Sequence, residues 1–206
     1  MNVGIPAVLA DQRIVVVDIE GNGRQPPEII EIAALPVDHD LDPTCLRSWL
    51  VRPGEPILPV VTAKVHGISN AQVAGCPAWP EIAGAVEHVL RDRVLVAHNA
   101  SVEYRVLSRH LPSWHPPLVL DTLRLAKHVW PDIPSYSLHT LIQHRGLDTN
   151  GVGQRQPHRA PYDTWCTARL LCALALDSRM SWTALAEVAA LPGVATPPAE
   201  QQGGLW

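Results

Sequence analysis

The stretch Arg13–Gly23, "RIVVVDIEGNG", decides the fold. Ile14–Val17 is a β-branched run with no polar break, which suits a central strand buried on both faces. The run then meets two carboxylates one residue apart, Asp18 and Glu20. Residues i and i+2 of a strand share a face, so both charges converge on one point. Like charges at that separation repel unless they are protonated or bridged by a cation, and hard oxygen ligands suit Mg²⁺ or Mn²⁺. A solvated strand end accounts for this pair, taken alone, equally well.

Working outward, "GNGRQPP" is turn chemistry, "PEIIEIAALPVD" is a second apolar run and "CLRSWLVRP" a third, so a β-meander is expected with Asp18 and Glu20 at the exit of its first strand. From "WPEIAGAVEHVLRD" the period becomes helical, with Ile82, Val86, Val89 and Leu90 on one face. A strand, "RVLVAHNA", precedes the helix "SVEYRVLSRHL", whose Val102, Val106 and Leu107 are expected to face the core. "PPLVLDTLRLAKHV" reads as a strand turning into a helix near Asp121, "SYSLHTLIQHRG" as a helix closed by Gly146, and "YDTWCTARLLCALALDS" and "SWTALAEVAAL" as two more. Strands alternating with helices imply an α/β sheet covered by helices. The division expected is an N-terminal extension over 1–11, a single domain over 12–178, a C-terminal helix packing on it over 179–191, and a flexible tail over 192–206.

Composition narrows the function classes. A chain of 206 residues supports one well-buried core. A net charge of −4, with Lys64 and Lys127 the only lysines, supplies no general positive field for nucleic acid or membrane, so an anionic substrate needs local arginines or metal ions. Cys45, Cys76, Cys166 and Cys172 stand apart with no C-x-x-C pair and read as reduced thiols. Met1–Arg13 has no basic region before its short apolar run, and no apolar run approaches membrane-spanning length, so a soluble, cytoplasmic chain with no membrane partner is expected.

Two further constellations carry chemistry. In "HRAPYD", His158 and Asp163 would lie about 140° apart on one continuous helix. Pro161 disfavours helical geometry at Ala160 and suits the first helical position, so His158 belongs to the loop and Asp163 to the first helical turn. In "VLVAHNASVEYRVL", a strand ends at His98 and Asn99 and a helix carries Glu103 in its first turns. Each is ordinary alone: a helix-start acid is favoured by the macrodipole, and a loop histidine needs no function.

In order, Asp18-x-Glu20, His98-Asn99-Ala100-x-x-Glu103 and His158-x-x-x-x-Asp163 make the chain resemble the DEDDh, DnaQ-like 3′–5′ exonucleases, with "PPEIIEIAALPVD", "VTAKVHGIS", "LDTLRLAK" and "YSLHTLI" extending the likeness over residues 12–177. The resemblance implies a ribonuclease H-like α/β fold, a mixed five-stranded sheet with helices on both faces. It implies two divalent cations, Mg²⁺ or Mn²⁺, held by Asp18, Glu20, Glu103 and Asp163, with His158 as the general base that takes a proton from the attacking water. The implied reaction hydrolyses terminal phosphodiesters of single-stranded or frayed DNA or RNA to 5′-monophosphates. The implied partner is a nucleic-acid 3′ end; a homodimer or a polymerase partner stays open, as does DNA against RNA.

The sequence departs from the family pattern where the third acid is Glu103 instead of Asp, longer by one methylene. Mg²⁺ demands tight octahedral geometry, so a 3′-end-binding module with weakened catalysis is the alternative reading. Substrate contacts are expected from Gly21 and Asn22, where relatives carry Thr or Ser, from Val65 and His66 of "VHGIS", and from His98 and Asn99. Arg105, Arg109, Arg124, Arg155 and Arg159 are candidates for phosphate contacts, with solvated faces as their default. Asp121-Thr122 is expected to cap a helix. Trp49, Trp79, Trp114, Trp130 and Trp165 are read as packing residues before base-stacking ones.

Overall fold

Strand β1 (Ile14–Gly21) sits in the middle of a five-stranded sheet with β2 (Ile29–Val37), β3 (Arg47–Leu50), β4 (Val94–Ala97) and β5 (Val119–Asp121), in the order β3-β2-β1-β4-β5. The computed structural model describes residues 3–153 and 156–194. β1–β2 and β2–β3 pair antiparallel as the meander predicts, while β1–β4 and β4–β5 pair parallel. Parallel neighbours need crossover connections, which the helices α1 (Trp79–Leu90) and α2 (Ser101–His110) supply. The remaining helices are α3 (Thr122–Val129), α4 (Leu138–Arg145), α5 (Ala160–Ser178) and α6 (Trp182–Ala189).

Why the run Ile14–Val17 is unbroken is visible in what covers it. Ile14 and Val16 join a core with Leu35, Leu125, Leu141, Cys166, Leu170 and Leu185, so α3, α4, α5 and α6 lie on that face. Val15 and Val17 join Ile32, Ile82, Val86, Leu90, Leu95 and Leu107 under α1 and α2 on the other. All four strand residues are fully buried. At about 1.5–3 kcal/mol per buried aliphatic side chain, this tetrapeptide anchors both layers.

The described part of the N-terminal extension packs on the domain. Val3–Gly4 pairs with Asp40–Leu41, and Leu9 is fully buried in the α5-side core. α6 adds Leu185 and Ala189 to the same core. Gly146 closes α4 in the left-handed conformation at φ 62°, as a C-terminal glycine should. α5 begins at Ala160, one residue ahead of Pro161, with Arg159 extended before it. The tail expected over 192–206 lies outside the described residues from 195 onward. All four cysteines are free, Cys166 and Cys172 being buried. No helix among the described residues is long and apolar enough to cross a membrane.

One face is reassigned. Val106 and Leu107 are buried on α2, but Val102 is 43% exposed. In the first turn of α2, Val102 lines a cleft beside Glu20 instead of joining the core.

Candidate active site

The carboxyl ends of β1, β4 and β5 lie together, the edge of an α/β sheet where crossover loops leave a crevice. β1 delivers Asp18 and Glu20 on the face it shares with Ile14 and Val16, towards α5. The N-terminus of α5 packs there and carries Asp163 in its first turn, while α2, starting after the β4 end, brings Glu103 in its own. Glu20, Glu103 and Asp163 are buried; Asp18 keeps partial exposure to the crevice. His158 stands exposed on the loop before α5, as Pro161 predicts. Ligand atoms of Glu20, His158 and Asp163 all lie within 4.8 Å of one another.

The electrostatics are those of clustered, buried acids. Burial raises the Asp18 carboxyl well above the usual range, and Asp163, Glu103, Glu20 and Glu31 each add repulsion. Glu20 is pushed up to about 8 by burial and by repulsion from Asp163 and Glu31, with Arg159 opposing. Burial likewise lifts Glu103 to about 8; its own backbone amide opposes the rise and Asp121 adds to it. Glu103 Oε2 and Asp163 Oδ1 are buried with no aligned hydrogen-bond donor. Converging carboxylates with unsatisfied oxygens and one imidazole make a donor set that fits hard divalent cations.

Several residues serve differently from what their position in the sequence suggests. Asn22 is fully buried, and its side chain ties the β1–β2 loop together: Oδ1 accepts from Arg24 N at 3.2 Å and Glu28 N at 3.1 Å, and Nδ2 donates to Glu55 O at 3.4 Å. Its backbone is engaged too, N donating to Glu28 O at 3.0 Å and O accepting from Leu58 N at 3.0 Å, which corrects its reading as a substrate contact. His98 is corrected likewise, with Nδ1 3.0 Å from Thr122 Oγ1 and Nε2 2.9 Å from Tyr136 O. Its ring spans β4, α3 and the segment before α4. Asn99, exposed and at φ 67°, stays at the crevice, its backbone N–H held by Asp121 Oδ1 at 2.9 Å. Asp121 Oδ1 also accepts from Leu123 N at 2.8 Å, which is the expected helix cap.

Gly21, Val65, His66 and Val102 line a cavity of about 280 Å³ beside Glu20. His66 is buried, with Nδ1 accepting from Ile68 N at 3.0 Å, and burial lowers its pKa. Val65 is 41% exposed, so an apolar edge borders the acidic centre. A wider cleft of about 550 Å³ lies elsewhere around Arg13, Asp38 and Arg93, where Arg93 pairs with Asp38 at 2.6 Å. Size alone therefore does not mark the chemistry. The five tryptophans of the sequence reading all pack against the two main cores, and Trp165 is the most buried. Arg155 lies outside the described residues.

Two residues at the site escaped the sequence reading. Glu31 on β2, in register with Glu20, is buried and receives the guanidinium of Arg159. His139 on α4 places Nε2 3.1 Å from Asp163 Oδ1 without hydrogen-bond alignment, its ring stacked on Tyr162 at 5.9 Å. A glutamate inside the apolar run "PEIIEIAALPV" was the available signal for Glu31, since a charge in a strand covered on both faces demands a partner. His139 had none, sitting in a helix like any polar surface residue.

The fold and the site together define an α/β protein of the ribonuclease H-like class. The exonuclease family profile (RNase_T) matches residues 15–171. Exodeoxyribonuclease 10 of Escherichia coli K12 is 35% identical over 185 residues, 88% of this chain and 77% of that protein. The DNA polymerase III subunit epsilon of Aquifex aeolicus is 31% identical over 168 residues, 79% of this chain and 80% of that one. A solved exonuclease X, in complex with 5′-overhanging duplex DNA, superposes with TM-score 0.71 at 32% identity, covering 85% of this chain and 98% of that chain. The chain belongs to the exonuclease family, as a member of its DEDDh, DnaQ-like 3′–5′ branch.

Proposed function

We propose that the protein is a divalent-metal-dependent 3′–5′ exonuclease acting on DNA, releasing 5′-monophosphates from single-stranded or frayed 3′ ends. The observation that carries this reading is the meeting of Glu20, Asp163 and the loop histidine His158 within 4.8 Å, with Asp18 and Glu103 adding charge to the same acidic cluster and carboxylate oxygens of Glu103 and Asp163 left unsatisfied. The choice of DNA rests on the relatives, among them an exodeoxyribonuclease and an exonuclease X bound to duplex DNA.

Asp18, Glu20, Glu103 and Asp163 would hold two ions, Mg²⁺ or Mn²⁺. When bound, these supply Lewis acidity at the scissile phosphate and offset charge on the leaving 3′ oxygen. His158, exposed and on the same side of the cluster as Glu20 and Asp163, accepts the proton of the attacking water. The terminal base rests on the apolar edge formed by Val65 and Val102, and Gly21 lets the backbone approach it closely. Glu103 is buried in the first turn of α2 and adds repulsion at Asp18, which supports a place for it in the acidic cluster despite its extra methylene. That favours the enzyme over a catalytically weakened end-binding module.

The test uses purified protein with Mg²⁺ or Mn²⁺ and single strands of DNA and RNA labelled at either end, alongside His158→Ala. Immediate release of the 3′ label from DNA, slowed about 100-fold or more but still measurable in the variant, is the expected result. Binding without release would sink the enzyme reading, and preference for RNA would sink the choice of substrate.

A further inference from the structure

The general base proposed above sits in a backbone conformation that needs support. His158 has φ 60°, the left-handed region, which a non-glycine residue keeps only where its surroundings fix it. Three consecutive residues show what fixes it. His158 N donates to Asp163 Oδ2 at 2.9 Å. Arg159 forks onto Glu31, Nε to Oε2 at 2.9 Å and Nη2 to Oε1 at 2.6 Å. Ala160 N, the first amide of α5, donates to Glu31 Oε2 at 2.9 Å. α5 has no side-chain cap from its own N-cap residue, so a carboxylate from strand β2, 129 positions away, does that work.

Stability alone does not explain Glu31. It is 2% exposed and in register with Glu20, a like charge, and an apolar residue there would avoid burying an ion pair beside the acidic cluster. What the carboxylate supplies is geometry: a planar, two-pronged seat on the rigid sheet for the arm bearing His158. We propose that Glu31 is a positioning residue for the reaction, acting through Arg159 and Ala160 to hold His158 in its left-handed conformation over the metal-binding carboxylates. The inference rests on the exonuclease reading above for its catalytic consequence, and on the loop geometry alone for its structural one.

A misplacement of about 1 Å at a catalytic group can cost about 100-fold in rate. Glu31→Gln keeps volume and one acceptor but loses the bidentate seat. It should lower kcat for 3′-label release by about 30–100-fold with KM changed less than about threefold. In a His158→Ala background the same substitution should change the rate less than about threefold, because the arm then carries no base. Arg159→Lys, which keeps the charge and loses the fork, should behave as Glu31→Gln does and guards against a misfolded single variant. An equal loss in both backgrounds, or no loss from either variant, overturns the proposal. Backbone order in the metal-free protein decides the matter independently of activity. In Glu31→Gln the amides of Gln156, His158 and Arg159 should fall from an order parameter of about 0.85 to below about 0.6, while residues 165–175 stay rigid. Unchanged order at 156–159 overturns the inference even in an active enzyme, whereas a wild type that never releases the 3′ label overturns only the reading beneath it.

Discussion

Glu103 offers the sharpest energetic prediction, because it is buried, unsatisfied and lifted from 4.5 to about 8 in the folded chain. The folded state holds that proton more tightly than the unfolded state does. The stability this contributes is therefore complete below pH 4.5 and is lost as pH rises towards 8. At about 1.4 kcal/mol per pH unit, the full span amounts to about 5 kcal/mol, a ceiling that water entry and local relaxation reduce. Glutamine has nearly the same shape and cannot ionise. Metal-free Glu103→Gln should therefore lie within about 1 kcal/mol of wild type at pH 5 and exceed it by at least about 2 kcal/mol at pH 8.5, a Tm gap of about 4–8 °C for a chain this long. Thermal melts of both proteins at both pH values, in chelator, measure the double difference and cancel any packing penalty common to them. The same gap at pH 5 and pH 8.5 would refute the reasoning.

Mn²⁺ at about 100 times its Kd should add about 2.7 kcal/mol to wild-type stability at pH 8, read as a rise in Tm, and Asp18→Asn should show less than half that rise; equal shifts would mean that Asp18 is no ligand. His98→Ala should lower Tm by about 2–6 °C, since it unties Thr122 and Tyr136, yet leave KM for a DNA strand within about twofold; a large KM effect would restore His98 to the substrate contacts. Gly151→Ala should destabilise by about 1–3 kcal/mol in urea unfolding, because φ is 138° and a Cβ would stand 2.9 Å from Trp165 Cζ2; an unchanged midpoint would show that the Trp165 ring gives way.

What could be read from the sequence was what local chemistry dictates. An unbroken β-branched run had to be a doubly covered strand, and Ile14–Val17 is one. Pro161 separates the loop histidine from the helical aspartate, and the chain obeys it. Asp121 caps α3 because a strand-end acid before a helix has few better uses. What stayed hidden depends on contacts between distant segments. The Glu31–Arg159 pair joins residues 128 apart, and neither residue reveals the other. Asn22 looked like a substrate contact because it sits between two glycines where relatives carry Thr or Ser, and His98 because it ends a strand; only the folded loops show their donors and acceptors engaged. Val102 follows the helical period but lies in the first turn of α2, at the mouth of the cleft, so periodicity placed it inside and the fold leaves it exposed.

The central claim is that the four carboxylates form one cation site with nuclease chemistry beside it. Counting bound Mn²⁺ by electron paramagnetic resonance, in chelator-stripped protein at pH 8, tests it most directly. Two ions per wild-type chain, with Asp18→Asn binding fewer and losing 3′-label release in parallel, is the predicted result. A wild-type chain that binds no Mn²⁺, or one that cleaves equally well without it, would contradict the account.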